Sequence, residues 1–362
     1  MTRSPEQDIP VRIDRLLAFA EALLRRVDVS EDDARLTARV LLDADLRGVE
    51  SHGMAHLVDF YVRRIQRAEI NPHPDIRVTS EAASAATIDA DRALGFVAGQ
   101  RAVQLAIEKA QQTGAGWVAV GNSTHYGAGA YYAMQALEHD MIGFSLTTGG
   151  RLMAPPGGRR PALGLNVLSV AAPTPLGFPY VLDMATSVVA FGKLEIAARR
   201  GEPIPEGWAL DAEGRPLTDP AAFRPDGSML PLGGTPLGGA FKGFGLALMV
   251  DILTGALSGF GTSAETGGGR VAAHCFGALR IDAFVPLPDY LERMRTLIEA
   301  MKQTPTVEGV DEVRIPGELE YALSEQRRAA GTIPLHAAVI EGFRAAAEEL
   351  DVPFDLREGA QP

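Results

Sequence analysis

Three short segments gather the residue types that move protons and hold anions. Arg47-Gly48-Val49-Glu50-Ser51-His52-Gly53 lies where two helical patterns meet, with a second imidazole, His56, four residues beyond His52. Histidine titrates at about 6.5 when unperturbed, so either ring can give a proton to a carbonyl oxygen or take one from a hydroxyl near neutrality. The plainer reading of this segment is a turn whose serine and histidine cap the next helix. A shared metal between His52 and His56 is a third reading, but no further ligand follows at a helical spacing. The second segment, Gly121-Asn122-Ser123-Thr124-His125-Tyr126-Gly127-Ala128-Gly129, follows an apolar run ending at Val120. Glycine loops at strand ends are where α/β proteins place ligands, which makes His125 a second candidate acid or base, against a purely structural histidine. The third set joins Leu182-Asp183-Met184-Ala185-Thr186-Ser187 to Gly238-Gly239-Ala240-Phe241-Lys242-Gly243 at the head of an apolar helix. Small residues and bare N–H groups at a helix start, with the Lys242 ammonium beside them, suit an anionic cofactor, although each stretch also reads as a capping turn.

Several familiar sites are missing. No GxGxxG follows a strand, because Gly127-Ala128-Gly129 lacks a third glycine, and GxxxxGK[ST], HExxH, GxSxG and an EF-hand loop are absent as well. A Rossmann dinucleotide site and a P-loop are therefore not expected. The 46 acidic residues exceed the 34 basic ones, for a net charge of −12, and that field repels nucleic-acid phosphates and anionic lipid headgroups. One cysteine, Cys275, rules out an intrachain disulfide and a multi-cysteine zinc site. No apolar stretch sits behind the first charged residues as in a secretory signal, and the most apolar long run, residues 243–261, is broken by Asp251, Thr254 and glycines. The expectation is a cytoplasmic protein that neither binds nucleic acid nor enters a membrane, and whose partner is a small molecule.

The elements that must position these groups are readable from periodicity. With 362 residues, 46% of them hydrophobic, the chain can bury one large core or two medium ones. An amphipathic helix is predicted over 11–27, a second from a Ser30 cap to about Arg47, and a third through Leu57, Phe60, Tyr61 and Ile65, so that the first 70 residues read as wholly helical. Short apolar runs then begin at 76–78, 86–88, 117–120, 142–146, 168–172, 180–182 and 276–281. Helical patterns alternate with them at about 95–113, 128–139, 187–200, 243–258 and 288–303, and helix returns from Glu318 to about Leu350. Three loops stand out: 154–158, 201–231 and 263–270 with its triple glycine.

These segments together resemble the malate/L-lactate dehydrogenase family that lacks a Rossmann fold, a group with ureidoglycolate, sulfolactate and diketogulonate oxidoreductases and piperideine-carboxylate reductases. The resemblance runs over nearly the whole chain, in order through residues 45–53, 122–127, 182–187, Lys242-Gly243-Phe244-Gly245-Leu246 and Ile315-Pro316-Gly317-Glu318. It implies an α/β fold: a non-Rossmann, mixed-sheet nucleotide-binding domain over 75–314 beside a helical domain made of both termini, 1–74 with 315–362. It implies a homodimer that uses NAD or NADP to move hydride between nicotinamide and a 2-hydroxy or 2-keto acid, or a related cyclic imine. By position, His52 matches a proposed proton donor of some members and His125 a proposed proton acceptor of others. Arg47, Ser51 and His56 fall where substrate is held. Tyr180, Val181, Leu182, Asp183, Met184, Ala185, Phe241, Lys242, Gly317 and Glu318 match cofactor-contacting segments. No metal is implied. The chain departs from the family pattern at His56, where an arginine suited to a bidentate carboxylate grip is usual, and at Gly164-Leu165-Asn166-Val167, where Thr and Pro commonly flank the Asn. Two rivals remain: a metal-dependent hydrolase or lyase using His52 and His56, and a family member that binds without catalysing.

Overall fold

Alternation of small apolar and polar residues at Ala85–Asp89 puts Ala86 and Ile88 on one buried face, and the same alternation recurs along the strands that follow. The computed structural model describes residues 8–223, 226–266 and 271–356. Seven strands form one mixed sheet in the spatial order Arg77–Glu81, Ala85–Asp89, Ala115–Ser123, Ala272–Arg280, Met141–Thr147, Val167–Ala172 and Tyr180–Ala185. Only the pair Ala85–Asp89 and Ala115–Ser123 runs parallel, bridged by the helix Gly95–Thr113 as a crossover connection needs. That helix lays Ala98, Ala102, Ala106 and Ala110 on the sheet, small side chains that let it approach closely against Val118, Val120 and Phe276. The architecture is the expected mixed-sheet α/β class.

A second core lies beside the sheet and draws on both ends of the chain. Leu16, Leu23 and Leu24 of the helix Ile13–Arg25, Leu41 of Glu31–Leu46, and Tyr61 pack with Ile333, Phe343 and Ala347. The Ser30 hydroxyl accepts from Asp33 N–H, the expected cap of the second helix. The first helix is shorter than its periodicity indicated. Asp8–Arg12 is a strand, paired antiparallel with Thr332–His336, so neither the first 70 residues nor the tail is wholly helical. Val11 and Ile333 face each other in that pair and are both fully buried, a contact between residues too far apart in sequence for a local pattern to register.

Other boundaries moved for similar reasons. The third helical pattern is two 3₁₀ turns, a π-turn over Leu57–Val62 and a single α-turn, Arg63–Gln66. The helix read from 187 begins only at Phe191, because Val188 N–H bonds Leu230 and Ser187 bridges Pro231. The helix over 128–139 divides into Ala130–Gln135 and a 3₁₀ turn, and that over 243–258 runs as Ala240–Asp251 and then a π-turn, Ile252–Ala256. Four very short strands, Arg151–Met153, Leu163–Gly164, Ala209–Leu210 and Ser228–Met229, form a small sheet that organises the first two of the three loops. The triple glycine of the third, 267–269, lies outside the described residues. No helix among the described residues is long and apolar enough to cross a membrane.

Candidate active site

The turn that carries His52 is held by a buried carboxylate. Asp45, near the end of the helix Glu31–Leu46, accepts from Met54 N–H at 2.7 Å, which draws the chain after His52 back against the helix. Gly53 passes so close that a Cβ there would lie 2.1 Å from Asp45 Oδ1. The Gly after the histidine is thus a packing requirement of the turn. His52 emerges with its Nδ1 3.0 Å from Ser51 Oγ. His56, one 3₁₀ turn on, stacks on Phe60 with ring centroids 5.3 Å apart.

His125 comes to the same place from the sheet. The strand Ala115–Ser123 ends, and the loop after it is pinned on two sides: Gly95 N–H donates to Thr124 Oγ1, which donates to the Ala93 carbonyl. From the neighbouring strand, the buried His274 presents Nε2 to the Thr124 carbonyl at 3.1 Å and to Ser123 Oγ at 2.9 Å, while its Nδ1 lies 2.7 Å from Thr147 Oγ1. Its ring stacks on Tyr126 at 4.6 Å. Held this way, His125 faces His52 in a stacked arrangement, 5.5 Å between centroids, with His56 6.3 Å from both. Its Nδ1 lies 2.6 Å from the hydroxyl of the buried Tyr61 and accepts from Gly127 N–H at 3.3 Å.

Burial sets the electrostatics of this cluster. It lowers the pKa of His52 below the ordinary histidine value. It lowers His56 too, with His52 adding to the effect and Glu195 and Asp59 opposing it. His125 is pushed well below the ordinary value, first by burial and then by His52, His56, His274 and Arg64. His274, enclosed in the core, falls to about 3. Three imidazoles in contact would suit a metal, yet among the described residues no group of three or more His, Cys, Asp or Glu side chains is placed to hold one. The hydrolase rival therefore finds no ligand set at His52 and His56.

The segments matched to a cofactor converge on the edge of the large sheet. Tyr180–Ala185 is its last strand, and Val181 N–H donates to the Pro316 carbonyl. Gly317 follows in a left-handed conformation, φ 91°, with space for no Cβ: one would lie 2.8 Å from Val181. Glu318, at the head of the next helix, pairs with Lys302 at 2.6 Å and accepts from Ile315 N–H. Asp183 takes a hydrogen bond from Ser169 Oγ at 2.5 Å and from Ala130 N–H at 2.8 Å, which ties this strand to the segment carrying His125. Desolvation raises its carboxyl above the usual range despite both bonds. Met184, Leu182, Tyr180 and Ala185 are each partly exposed along the strand. Phe241 and Lys242 project, exposed, from the first turn of Ala240–Asp251. Leu232 links that turn to the strand end, accepting from Gly243 N–H and donating to the Thr186 carbonyl.

Not every candidate residue joins the imidazoles. Arg47 is buried, and its guanidinium donates to Met134 Sδ at 3.3 Å, close enough to Asp43 and Asp183 to act on their charges. Other residues belong to the site without having been singled out. Tyr61 and Phe60 read as helix-face apolar positions, and His274 lies just before the apolar run read at 276–281, in what the fold shows to be the strand Ala272–Arg280. The helix Phe191–Arg200 passes close enough that a Cβ at Gly192 would lie 3.5 Å from Ser51 Cβ, and it brings Glu195 to act on His56. Only the fold, which lays this helix over the turn at 50–56, makes that visible.

Comparison with known proteins finds similarity along nearly the whole chain. The family model for malate/L-lactate dehydrogenase matches residues 11–344. Malate dehydrogenase of Pyrococcus horikoshii is 43% identical over 353 residues, covering 96% of this chain and 97% of that protein. L-Sulfolactate dehydrogenase of Methanothermobacter thermautotrophicus is 37% identical, over 99% of this chain and 100% of its own. The solved structure of the Pyrococcus horikoshii malate dehydrogenase superposes with a TM-score of 0.88 at 41% identity, covering 98% of this chain and 99% of that one. With the family model spanning residues 11–344 and these relatives matched over nearly their whole length, the chain belongs to the malate/L-lactate dehydrogenase family.

Proposed function

We propose that the protein is an NAD(P)-dependent oxidoreductase that interconverts a 2-hydroxy acid and its 2-keto acid, with His52 as the proton donor in the reducing direction. The observation that carries this is the meeting of His52 and His125, from opposite ends of separate elements, at 5.5 Å between ring centroids. Reduction of a ketone needs a proton for the forming alkoxide and a donor to hold the oxygen while charge develops; two imidazoles on one site answer both needs. A bound nicotinamide supplies the hydride and, in the reverse direction, takes it up. The residues present fit such a group: the exposed Lys242 ammonium suits a pyrophosphate, the exposed Phe241 ring a planar base, and Tyr180–Ala185 with Gly317 and Glu318 an adjoining edge of backbone. In this reading Ser51 orients His52 through its Nδ1 contact, and His56 lies on the substrate side as a neutral hydrogen-bonding ring, while Arg47, turned to Met134, acts on Asp43 and Asp183 from behind the turn.

The same proposal divides the chain into a helical unit, 1–74 with 315–362, and a cofactor-binding unit, 75–314, on the strength of the core that Leu16, Leu41 and Phe343 share. It makes the protein a homodimer. Supporting this, Leu248, Met249, Ile252 and Leu257 lie exposed along one continuous helical stretch, an apolar face that a second copy of the chain would cover. It places the enzyme in the cytoplasm, where a single buried thiol such as Cys275 stays reduced. The test is loss of reduced-nicotinamide absorbance, with NADH and NADPH separately, against pyruvate, oxaloacetate, longer 2-keto acids and cyclic imines. Consumption with a 2-keto acid supports the reading. Consumption with a cyclic imine alone would move the substrate to the C=N class.

A further inference from the structure

Of the three clustered imidazoles, His125 is the one whose proton position the surrounding hydrogen bonds decide. Its Nδ1 lies 3.3 Å from Gly127 N and 2.6 Å from Tyr61 Oη. A backbone N–H only donates, so Nδ1 must face it with a lone pair, and the Tyr61 hydroxyl, directed at the same nitrogen, must donate too. Neutral His125 then carries its ring proton on Nε2. We propose that Tyr61 is a positioning residue that holds His125 as the Nε2–H tautomer, so that neutral His125 offers the substrate oxygen a hydrogen bond while His52 exchanges the proton.

The division of labour between the two histidines rests on the oxidoreductase reading above; the tautomer does not. Three observations support it. Tyr61 is fully buried, packed on Phe96 at 4.8 Å between ring centroids, so its hydroxyl is held in one place. Its phenol is raised well above the ordinary tyrosine value by burial, so it stays an O–H donor across the physiological range. The loop under His125 is fixed through Thr124 by Gly95, Ala93 and His274, which holds the ring's attachment point in register with the Tyr61 hydroxyl. Among the described residues, the charged and titratable groups that bear most on His125 are Tyr61, His52, His56, His274 and Arg64. None is a carboxylate, so nothing in this set favours an imidazolium. His52 differs, because Ser51 Oγ can donate to its Nδ1 or accept from it, and both protonation states are served.

The experiment is long-range ¹H–¹⁵N correlation spectroscopy of the full-length protein labelled at histidine nitrogens, at pH 7, with His125→Gln to assign the ring and Tyr61→Phe as the test. The expected wild-type result is a neutral His125 protonated on Nε2. In Tyr61→Phe the neutral ring loses the donor that stabilised it. A share of Nδ1–H tautomer should appear, the His125 pKa should rise, and kcat for keto-acid reduction should fall about tenfold with KM little changed. The limb of the pH profile that reports His125 should move to higher pH in step. A wild-type His125 found as Nδ1–H or as imidazolium at pH 7 overturns the proposal even if Tyr61→Phe fails to fold. So does a folded Tyr61→Phe with unaltered tautomer and pH profile. Absence of nicotinamide turnover in a wild type that shows the Nε2–H signature would instead sink the oxidoreductase reading and leave the tautomer assignment standing.

Discussion

His56 stands where the resembling family carries an arginine, and its ring lies on Phe60, 6.3 Å from both His52 and His125. A histidine whose pKa burial has lowered carries little charge at neutrality, so it grips a carboxylate weakly. His56→Arg is therefore expected to lower KM for a 2-keto acid about fivefold with kcat largely kept, as measured by initial rates, since a charge-assisted bond exceeds a neutral one by roughly 1 kcal/mol. The lowered His52 pKa has its own signature. The protonated donor is lost as pH rises through a value below the ordinary 6.5, so kcat/KM for reduction should climb toward acid and bend below 6.5, while oxidation, which needs the neutral base, should hold its rate at neutrality. A reduction profile flat down to pH 5 would remove His52 as the donor. At this scale the sequence was most informative: the two histidines stood out because each sits in a polar, glycine-flanked turn. Tyr61 did not, because a tyrosine at a helical apolar spacing looks like any core residue until a fold carries His125 to its hydroxyl.

At the scale of elements, function depends on turns whose shape is dictated by what they touch. Gly53 runs against the Asp45 carboxylate, and Asp45 in turn holds Met54 N–H. Gly53→Ala forces these apart and should cost about 1–3 kcal/mol of stability in urea unfolding, with a drop in kcat larger than the thermal shift alone would explain. Unchanged kcat in that variant would show that the turn does not set the His52 position. The central helices and strands were legible from periodicity because each buries one regular face; the helix Gly95–Thr113 matches its reading at both ends. What escaped were pairings that periodicity cannot express. Asp8–Arg12 is a strand only because Thr332–His336 lies beside it, and the four two- and three-residue strands are too short to alternate. Asn166, in the loop that departs from the family pattern, adopts φ 42° and donates to the Ala247 carbonyl, so it joins that loop to the helix headed by Lys242.

For the molecule as a whole, buried histidines make stability depend on pH in a definite direction. His274 binds its proton only near pH 3 when folded but at about 6.5 when unfolded, so between those values the unfolded chain holds more protons and stability falls as pH drops. This one group contributes a slope of about 1.4 kcal/mol per pH unit within that window. Urea midpoints at pH 7 and pH 5 should show that loss in wild type and less of it in His274→Gln; equal losses would mean that His274 is not buried neutral. The apolar helix surface makes a separate prediction: Ile252→Asp should convert a dimer to a monomer in sedimentation experiments, whereas an unaltered dimer would place the interface elsewhere.

The kinetic effects presuppose that the clustered imidazoles serve hydride transfer. The most direct measurement is single-turnover oxidation of NADH or NADPH by the best 2-keto acid of the panel, comparing wild type with His52→Ala. The expected result is rapid loss of reduced-nicotinamide absorbance in wild type and a rate lower by about 10² to 10⁴ in the variant, with cofactor binding kept. A variant as fast as wild type would contradict the role of His52, and a wild type that consumes neither cofactor with any 2-keto acid would contradict the account itself.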